Sequence, residues 1–442
     1  MTVPQLVLSS ILLVTLLLQA FLPSRRVLLV CVGAGVSCLA STLLGTARGS
    51  RLLAEVPWDV LVILVTLGLL SQIFAASRLF DRLAVAATRV SRADPTRIVL
   101  VFALAMYLVS GVVNNLTALV LVLPVLLKLT GTSQRYVSWT LGVLLVACNL
   151  GGAATPIGDF PAILLLGRGS MTFSAYLVRA APATLVALAG VLLVTRFVVR
   201  PARDVPFDPV SARLTRAAME ALHRRVRTDR RLFVPTAVAL AAMVLAWVFL
   251  PAHLEIGPEL VCWLGVGAAL LIAGRLGEKL TRGGIDAEAV LFLLSLFIMV
   301  GAVRRTGLFD LAARSLQHLP VPPYVQLVLF LLLSGVLTGI FSAGPSMAAL
   351  LEVAESLTRT LPAPAVYVGL ALSVCAGSSL FLTAATAGPL AQALTERADL
   401  RDLEGRPLRF GFFDFLPVGL MSFAVIQATA IVYSMVALLR AD

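Results

Sequence analysis

Charge is the first thing this chain lacks. Only 13% of its 442 residues are Asp, Glu, Lys or Arg, where a soluble domain carries about a quarter, and that shortfall excludes a soluble globular fold. Histidine is scarce too: His223, His253 and His318 stand singly, outside any ligand pattern. The five cysteines (Cys31, Cys38, Cys148, Cys262 and Cys375) are scattered through apolar segments, without the spacing of a metal site or a disulfide framework. No nucleophile–base pair, metal cluster or phosphate loop is readable, so neither an enzyme nor a cofactor is expected. The formal net charge of +12 would suggest nucleic acid in a soluble protein. Yet the longest polar segment, 196–231, holds "RRVRTDRR" without interleaved aromatics or any nucleic-acid motif, so its basic residues are assigned to membrane topology and no nucleic acid is expected as partner. Nor does the start look like a signal peptide. It has no basic residues before its apolar run, and Arg25–Arg26 follow that run, as for a first transmembrane helix.

What the chain has is apolar length. Hydrophobic residues make up 59% of it, and the mean hydropathy is +0.98. Segments 3–23, 27–45, 60–77, 232–250 and 290–303 with their flanks are nearly free of charge, long enough to cross a hydrocarbon core of about 30 Å. The fold class expected is an all-α polytopic membrane protein, with lipid as its surroundings.

The chain also repeats itself. "SRLFDRLA" at 77–84 answers "TGLFDLAA" at 306–313, placing Phe80 and Phe309 229 residues apart. The apolar runs before each also align, "VLVILVTLGLL" with "AVLFLLSLFIM". Thr155 and Pro161 answer Thr383 and Pro389 at an offset of 228, and "FSAYL" answers "FFDFL" at the head of each closing run. A shared order at a near-constant offset predicts a duplicated unit. Residues 1–200 form the first repeat, with a hairpin over 97–129 and a broken helix over 136–168. Residues 201–231 form a basic cytoplasmic linker. Residues 232–442 form the second repeat, with a hairpin over 322–358 and a broken helix over 363–395. If each hairpin turns back and each broken helix crosses, each half crosses five times, and an odd number inverts the second half against the first. Arginine and lysine gather in the loops this plan puts inside: Arg25–Arg26, Arg82 to Arg97, Lys128, Arg135, Arg275, Lys279, Arg282 and Arg397 to Arg409. Fewer fall outside, at Arg48, Arg51, Arg168, Arg304, Arg305, Arg314 and Arg359. The bias places both termini on the periplasmic side of a bacterial inner membrane.

Backbone that leaves helical geometry at membrane depth has to be buried in protein or line a watery cavity. Four such breaks are readable: "SGVVNNLTALVLVLP", "NLGGAATPIGDFP", "GIFSAGPSMAAL" and "CAGSSLFLTAATAGP". Their polar and small residues are the candidates for substrate and ion binding: Ser110, Asn114, Asn115, Thr117, Asn149, Gly151, Gly152, Thr155, Asp159, Ser342, Gly344, Ser346, Gly377, Ser378, Ser379, Thr383 and Thr386. Small residues in membrane helices also permit close packing, which is the preferred reading of Ser110 and Gly111 taken singly. Adjacent amides at Asn114 and Asn115 are costly in an apolar helix unless hydrogen-bonded, which favours a binding role. An ionisable Asp159 at this depth is a functional candidate by default, and it is equally placed to cap the helix starting near Pro161. Glu352 and Glu355, one helical turn apart, read as solvated or paired near an aqueous end.

These stretches resemble the ion transporter superfamily, which includes arsenite permeases, NhaD-type sodium/proton antiporters, the melanosomal P protein and the divalent anion/sodium symporters. "NLGGAATPIGDFPAILL" looks like the Gly-Gly-x-x-Thr-x-Ile-Gly-Asp-x-Pro signature of the permease/antiporter branch, and "SGVVNNLTALVLVLP" resembles its hairpin tip. "AVLFLLSLFIMVGAVRRTGLFDLAA" resembles a further segment of that branch. The resemblance implies a scaffold region, a mobile transport region, elevator-type alternating access and a homodimer. Carried over by position, Asn114, Asn115 and Thr117 form one tip, and Gly151, Gly152, Thr155 and Asp159 the first unwound loop. Sodium, where it couples, is expected transiently at the Asn115/Gly151 and Ser342/Ser378 regions.

The departures bear on substrate. Asn114 stands where the antiporters carry an acid, the second tip reads "SAGP" in place of Asp-Asn-x-Pro, and Ala387 answers Asp159. That leaves Asp159 as the one carboxylate in the four breaks. Amides, hydroxyls and N–H groups without a fixed positive residue suit a small anion or neutral oxyacid, dicarboxylate- or arsenite-like, moved on a sodium or proton gradient. A sodium/proton antiporter is the alternative within transport. A channel or a non-transporting membrane scaffold is the alternative from another class.

Overall fold

The computed structural model describes every residue except 1, 23–24, 93, 128, 130–132, 204, 206–216, 218–226, 250–255, 386, 403–404 and 441–442. Most of the 201–231 linker, Lys128 and Thr386 therefore lie outside the described residues. Among the described residues the regular elements are helices throughout. The first ten are α1 (Val3–Phe21), α2 (Arg26–Leu43), α3 (Gly49–Ala54), α4 (Trp58–Ala76), α5 (Leu79–Ser91), α6 (Pro95–Ser110), α7 (Asn115–Leu127), α8 (Gln134–Ala154), α9 (Phe160–Gly167) and α10 (Phe173–Val194). The next ten are α11 (Arg230–Phe249), α12 (Pro258–Ala273), α13 (Arg275–Gly283), α14 (Ala287–Arg304), α15 (Leu308–Gln317), α16 (Pro323–Phe341), α17 (Ala343–Leu357), α18 (Ala363–Ser378), α19 (Gly388–Arg397) and α20 (Phe412–Leu439). The chain is an all-α polytopic membrane protein, and eight of these helices, α10 with its π turn included, are long and apolar enough to cross a bilayer.

The pattern of exposure follows from the apolar surroundings. Val178, Leu264 and Leu271 are 70%, 76% and 84% exposed, as lipid-facing side chains are. The two helices buried along almost their whole length, α8 and α18, are the most central, and a helix apolar on every side belongs in such a place. Around them pack α6, α10, α16 and α20. A second group joins α1, α2 and α14 on one side and α4, α11 and α12 on the other. The groups meet where α4 touches α9 and α14 touches α17.

Nothing in the sequence marks helices α5 and α15 off from their neighbours. They are the two copies of the repeated "LFD" stretch, and each follows a left-handed residue, Arg78 at φ 59° and Gly307 at φ 71°. That turn ends the preceding span and lays a short amphipathic helix against a hairpin: α5 against α6 and α7, α15 against α16 and α17.

Each break has a local cause. At the first tip, Asn114 Oδ1 accepts from Thr117 N at 3.0 Å and starts α7, as an N-cap does. Thr155 and Asp159 are both extended and bound the gap between α8 and α9. Pro161 and Pro389 lie in the first turns of α9 and α19, where a missing N–H removes no hydrogen bond. The second tip is a single residue, Ser342, at φ 72° and ψ 166°. That region is nearly reserved to glycine and costs about 1–3 kcal/mol for any other residue.

Candidate functional site

The four breaks converge. One cavity of about 210 Å³ is lined by Asn114 and Asn115 of the first tip and by Gly158, Asp159 and Phe160 of the first unwound loop. Its lining also includes Ser342, Ala343 and Gly344 of the second tip and Thr383, Ala384, Ala385 and Pro389 of the second loop. The first turns of α7, α9, α17 and α19 all reach it, so four positive helix ends from two halves of the chain share one small space.

The four ends are not equivalent. The first-half helices are capped by their own side chains: α7 by Asn114, and α9 by Asp159, whose Oδ1 accepts from Phe160 N at 2.9 Å. The second-half helices α17 and α19 follow Ser342 and Ala387 and have no side-chain cap. Asn115 is buried; its Oδ1 accepts from Ser110 Oγ, while its Nδ2 lies beside the Asp159 carboxylate without a well-aligned hydrogen bond among the described residues.

Glycines make this approach feasible. A methyl at Gly152 would lie 2.6 Å from Asn115 Oδ1 and 2.9 Å from Asp159 Cβ, so the hairpin amide and the loop carboxylate flank the Gly152 Cα. A methyl at Gly151 would run into the Tyr107 carbonyl, and one at Gly377 into the Gly335 carbonyl. In both halves, then, a glycine presses the broken helix onto the first arm of its hairpin.

The other sequence candidates hold the site rather than line its main cavity. The single Ser110 hydroxyl proton is shared between Asn115 Oδ1 and Cys148 O, the latter at 2.7 Å, and Thr155 Oγ1 donates to Gly111 O at 2.7 Å, tying hairpin to loop. Asn149 Nδ2 donates to Ser378 O at 3.2 Å and Ser379 Oγ at 3.1 Å, joining the two broken helices. Asn149, Asp159, Tyr176 and Ser378 also enclose a second space of about 10 Å³, room for about one water-sized occupant. Asp159 thus stands between two spaces. Ser346 is buried with no partner for its hydroxyl, and neither it nor Thr117 lines the main cavity.

Sequence reasoning missed the cavity mouth, and its expectation of no fixed positive charge is corrected there. Gln19, Arg26, Asp286 and Glu288 belong to the lining, and Arg26 lies 6.0 Å over the Phe292 ring. These residues sit on helices of the second group, outside the breaks, so only tertiary approach brings them in. Asp286 caps α14 through Ala289 N at 3.0 Å. An acidic cap heading an apolar run was the one signal in the sequence.

An ion-pair cluster stands at the far end. α14 runs 18 residues from the mouth to Arg304, about 27 Å at the helical rise. There Glu352 pairs with Arg304 at 3.4 Å and with Arg168 at 3.0 Å, its side chain 6% exposed. The cavity lining therefore includes residues that the charge bias puts inside and stops short of an ion-pair cluster among residues it puts outside.

Comparison with known proteins places this geometry. The model of a family described as citrate transporters matches residues 10–377. An uncharacterized transporter of Mycobacterium tuberculosis is 28% identical over 388 residues, covering 87% of this chain and 86% of its own. Magnetosome protein MamN of Paramagnetospirillum magneticum is 28% identical over 367 residues, 82% of each chain. Among solved structures, the YdaH transporter of Alcanivorax borkumensis superposes over 98% of both chains at TM-score 0.54 and 16% identity, a likeness of fold.

Proposed function

Because the chain belongs to the citrate transporter family, within the ion transporter superfamily, and is a membrane transporter, we propose that it moves a small anion or oxyacid by secondary active transport. A single observation carries this reading: four helix N-termini line one cavity that reaches one end of the bundle and stops short of an ion-pair cluster at the other. Helix N-termini attract anions, and a space reached from one end at a time is what alternating access requires. The family's description favours a small carboxylate. In this reading the two halves are inverted repeats, and the group around α8 and α18 moves as an elevator against the group of α2, α4 and α14. Asp159, between the two spaces, takes the coupling sodium or proton. The protein works as a homodimer in a bacterial inner membrane, with its linker cytoplasmic and its termini periplasmic.

Purified protein in liposomes, given imposed sodium or proton gradients and labelled citrate, dicarboxylates and arsenite, tests this. Gradient-driven uptake of one of them is expected, and Asp159→Asn abolishes the dependence on the gradient. Folded protein that accumulates no solute under any gradient would overturn the reading.

A second reading has its own support. Asp159, Asp286 and Glu288 line the cavity against Arg26 alone, a balance that suits cations. A sodium/proton antiporter acidifies or alkalinises the lumen on sodium addition with no organic solute present. The same liposomes report that directly.

A further inference from the structure

A second pocket lies away from the transport cavity. Helix α10 continues into a π turn, Thr195–Val199, and ends at Arg200 in the left-handed region, φ 50°. A backbone turn follows, with Arg203 N donating to Arg200 O at 3.0 Å. Together with the start of α6 these segments enclose about 330 Å³, lined by Thr96, Thr195 and the three side chains Arg196, Arg200 and Arg203. Arg135 of α8 braces the wall by donating to Val199 O at 2.9 Å. Among the described residues, no carboxylate pairs with Arg196, Arg200 or Arg203. Arg200 Nε donates to the Phe197 carbonyl, and Arg196 lies over the Phe197 ring, so neither is neutralised.

The depth of the pocket is set by helix length. The continuous span Phe173–Val199 has 27 residues, about 40 Å at the helical rise against a core of about 30 Å. Its last turns therefore reach headgroup level. Just before the arginines, Leu193, Phe197 and Val198 are 56%, 57% and 75% exposed, an apolar flank beside a cationic pocket.

From this placement we propose that Arg196, Arg200 and Arg203 bind the phosphate of an anionic phospholipid, with the acyl chains along Leu193, Phe197 and Val198. Three guanidiniums match phosphate oxygens through charge-assisted hydrogen bonds, and basic pockets between membrane helices favour such headgroups. The apolar flank selects a lipid over a soluble phosphate. The site is separate from the transported solute, so it stands or falls independently of the transport reading.

Native mass spectrometry of the full-length protein, delipidated in detergent, tests it with phosphatidylglycerol, phosphatidylcholine and inorganic phosphate as probes. Phosphatidylglycerol adducts are expected on the wild type, with no phosphatidylcholine adducts at equal concentration and no competition from phosphate. Replacing all three arginines by glutamine lowers adduct abundance more than tenfold, at roughly fivefold per basic residue near an anionic surface. Replacing all three by lysine retains part of it, and Arg48→Gln with Arg51→Gln, at the opposite membrane face, leaves it unchanged. Where the triple variant does not fold, Arg203→Gln alone gives the smaller fall of about fivefold. Equal adducts on wild-type and glutamine variants would overturn the proposal, as would displacement of the lipid by phosphate, which marks a soluble-anion site.

Discussion

Replacing Glu352 by glutamine should loosen the closed end of the molecule. Its carboxylate is 6% exposed and joins Arg168, 18% exposed, to Arg304, 42% exposed. Removing one partner of a fully buried pair costs about 3–5 kcal/mol, while a pair as open as Glu352–Arg304 contributes at most about 1 kcal/mol. Since Arg168 retains some contact with water, the expected loss lies near 2–3 kcal/mol. Arg168 caps α9 and lies on the same side of the meeting surface as Glu352 of α17, whereas Arg304 belongs to α14 on the other side, so only the Glu352–Arg304 share of that loss, at most about 1 kcal/mol, is specific to the closed state. At about 1.4 kcal/mol per decade, the closed end would open up to about fivefold more often. The assay is alkylation of a cysteine placed at buried Ser346, in a protein whose five native cysteines are changed to alanine. A membrane-impermeant maleimide should label it up to about fivefold faster in Glu352→Gln, and Glu355→Gln, which removes no ion pair, should label like the parent. A fall in thermal stability with unchanged labelling would refute the argument, since the cluster would then hold the fold and not the gate.

Four further outcomes follow from the breaks. Gly151→Ala drives a methyl into the Tyr107 carbonyl and should cost about 1–3 kcal/mol, seen as a lower melting temperature and poor expression. Gly152→Ala meets side-chain atoms of Asn115 and Asp159 instead, so it should cost less stability and much more transport. Ser342→Gly relieves the φ 72° backbone at the smaller entropic cost of glycine, for a net gain of about 1 kcal/mol in a denaturation midpoint. Ala387→Asp supplies α19 with the cap that α9 already has. It should suppress anion uptake in liposomes, while Ala387→Ser, carrying no charge, should not.

Much of this was legible because the breaks are written in local chemistry. Asn114, Pro161 and Pro389 each stand at the start of a helix, and Gly158 lies in the gap between α8 and α9, whereas Gly151 and Gly152, expected in the unwound loop, remain within α8. The amphipathic helices were less visible, because their boundary is one left-handed residue, and Arg78 carries no mark of that conformation in the sequence. The cavity mouth was not visible at all. Arg26, Asp286 and Glu288 lie on helix starts remote from the breaks, and only the packing of α2 against α14 and the cavity beside them makes them neighbours of Asn115. The sequence leaves Glu352 either solvated or paired, and the choice between these needs Arg168 and Arg304, 184 and 48 residues away.

The loss of two-fold chemistry in the second half is what gives the cavity a direction. If both halves carried Asp, each unwound loop would have its helix end neutralised by its own carboxylate, and no free N-terminus would face the cavity from either loop. Here the charge survives only at Asp159, where Phe160 N is already engaged. The N-terminus of α19, after buried Ala387, and that of α17, after strained Ser342, stay open. An anion entering the cavity meets a carboxylate on the first-half wall and uncapped helix ends on the second. Under the transport reading proposed above, those walls would serve different partners, a coupling cation or proton beside Asp159 and an anionic group against α17 and α19. Opposite charges held side by side in that way would stabilise one another in the low dielectric of a membrane interior.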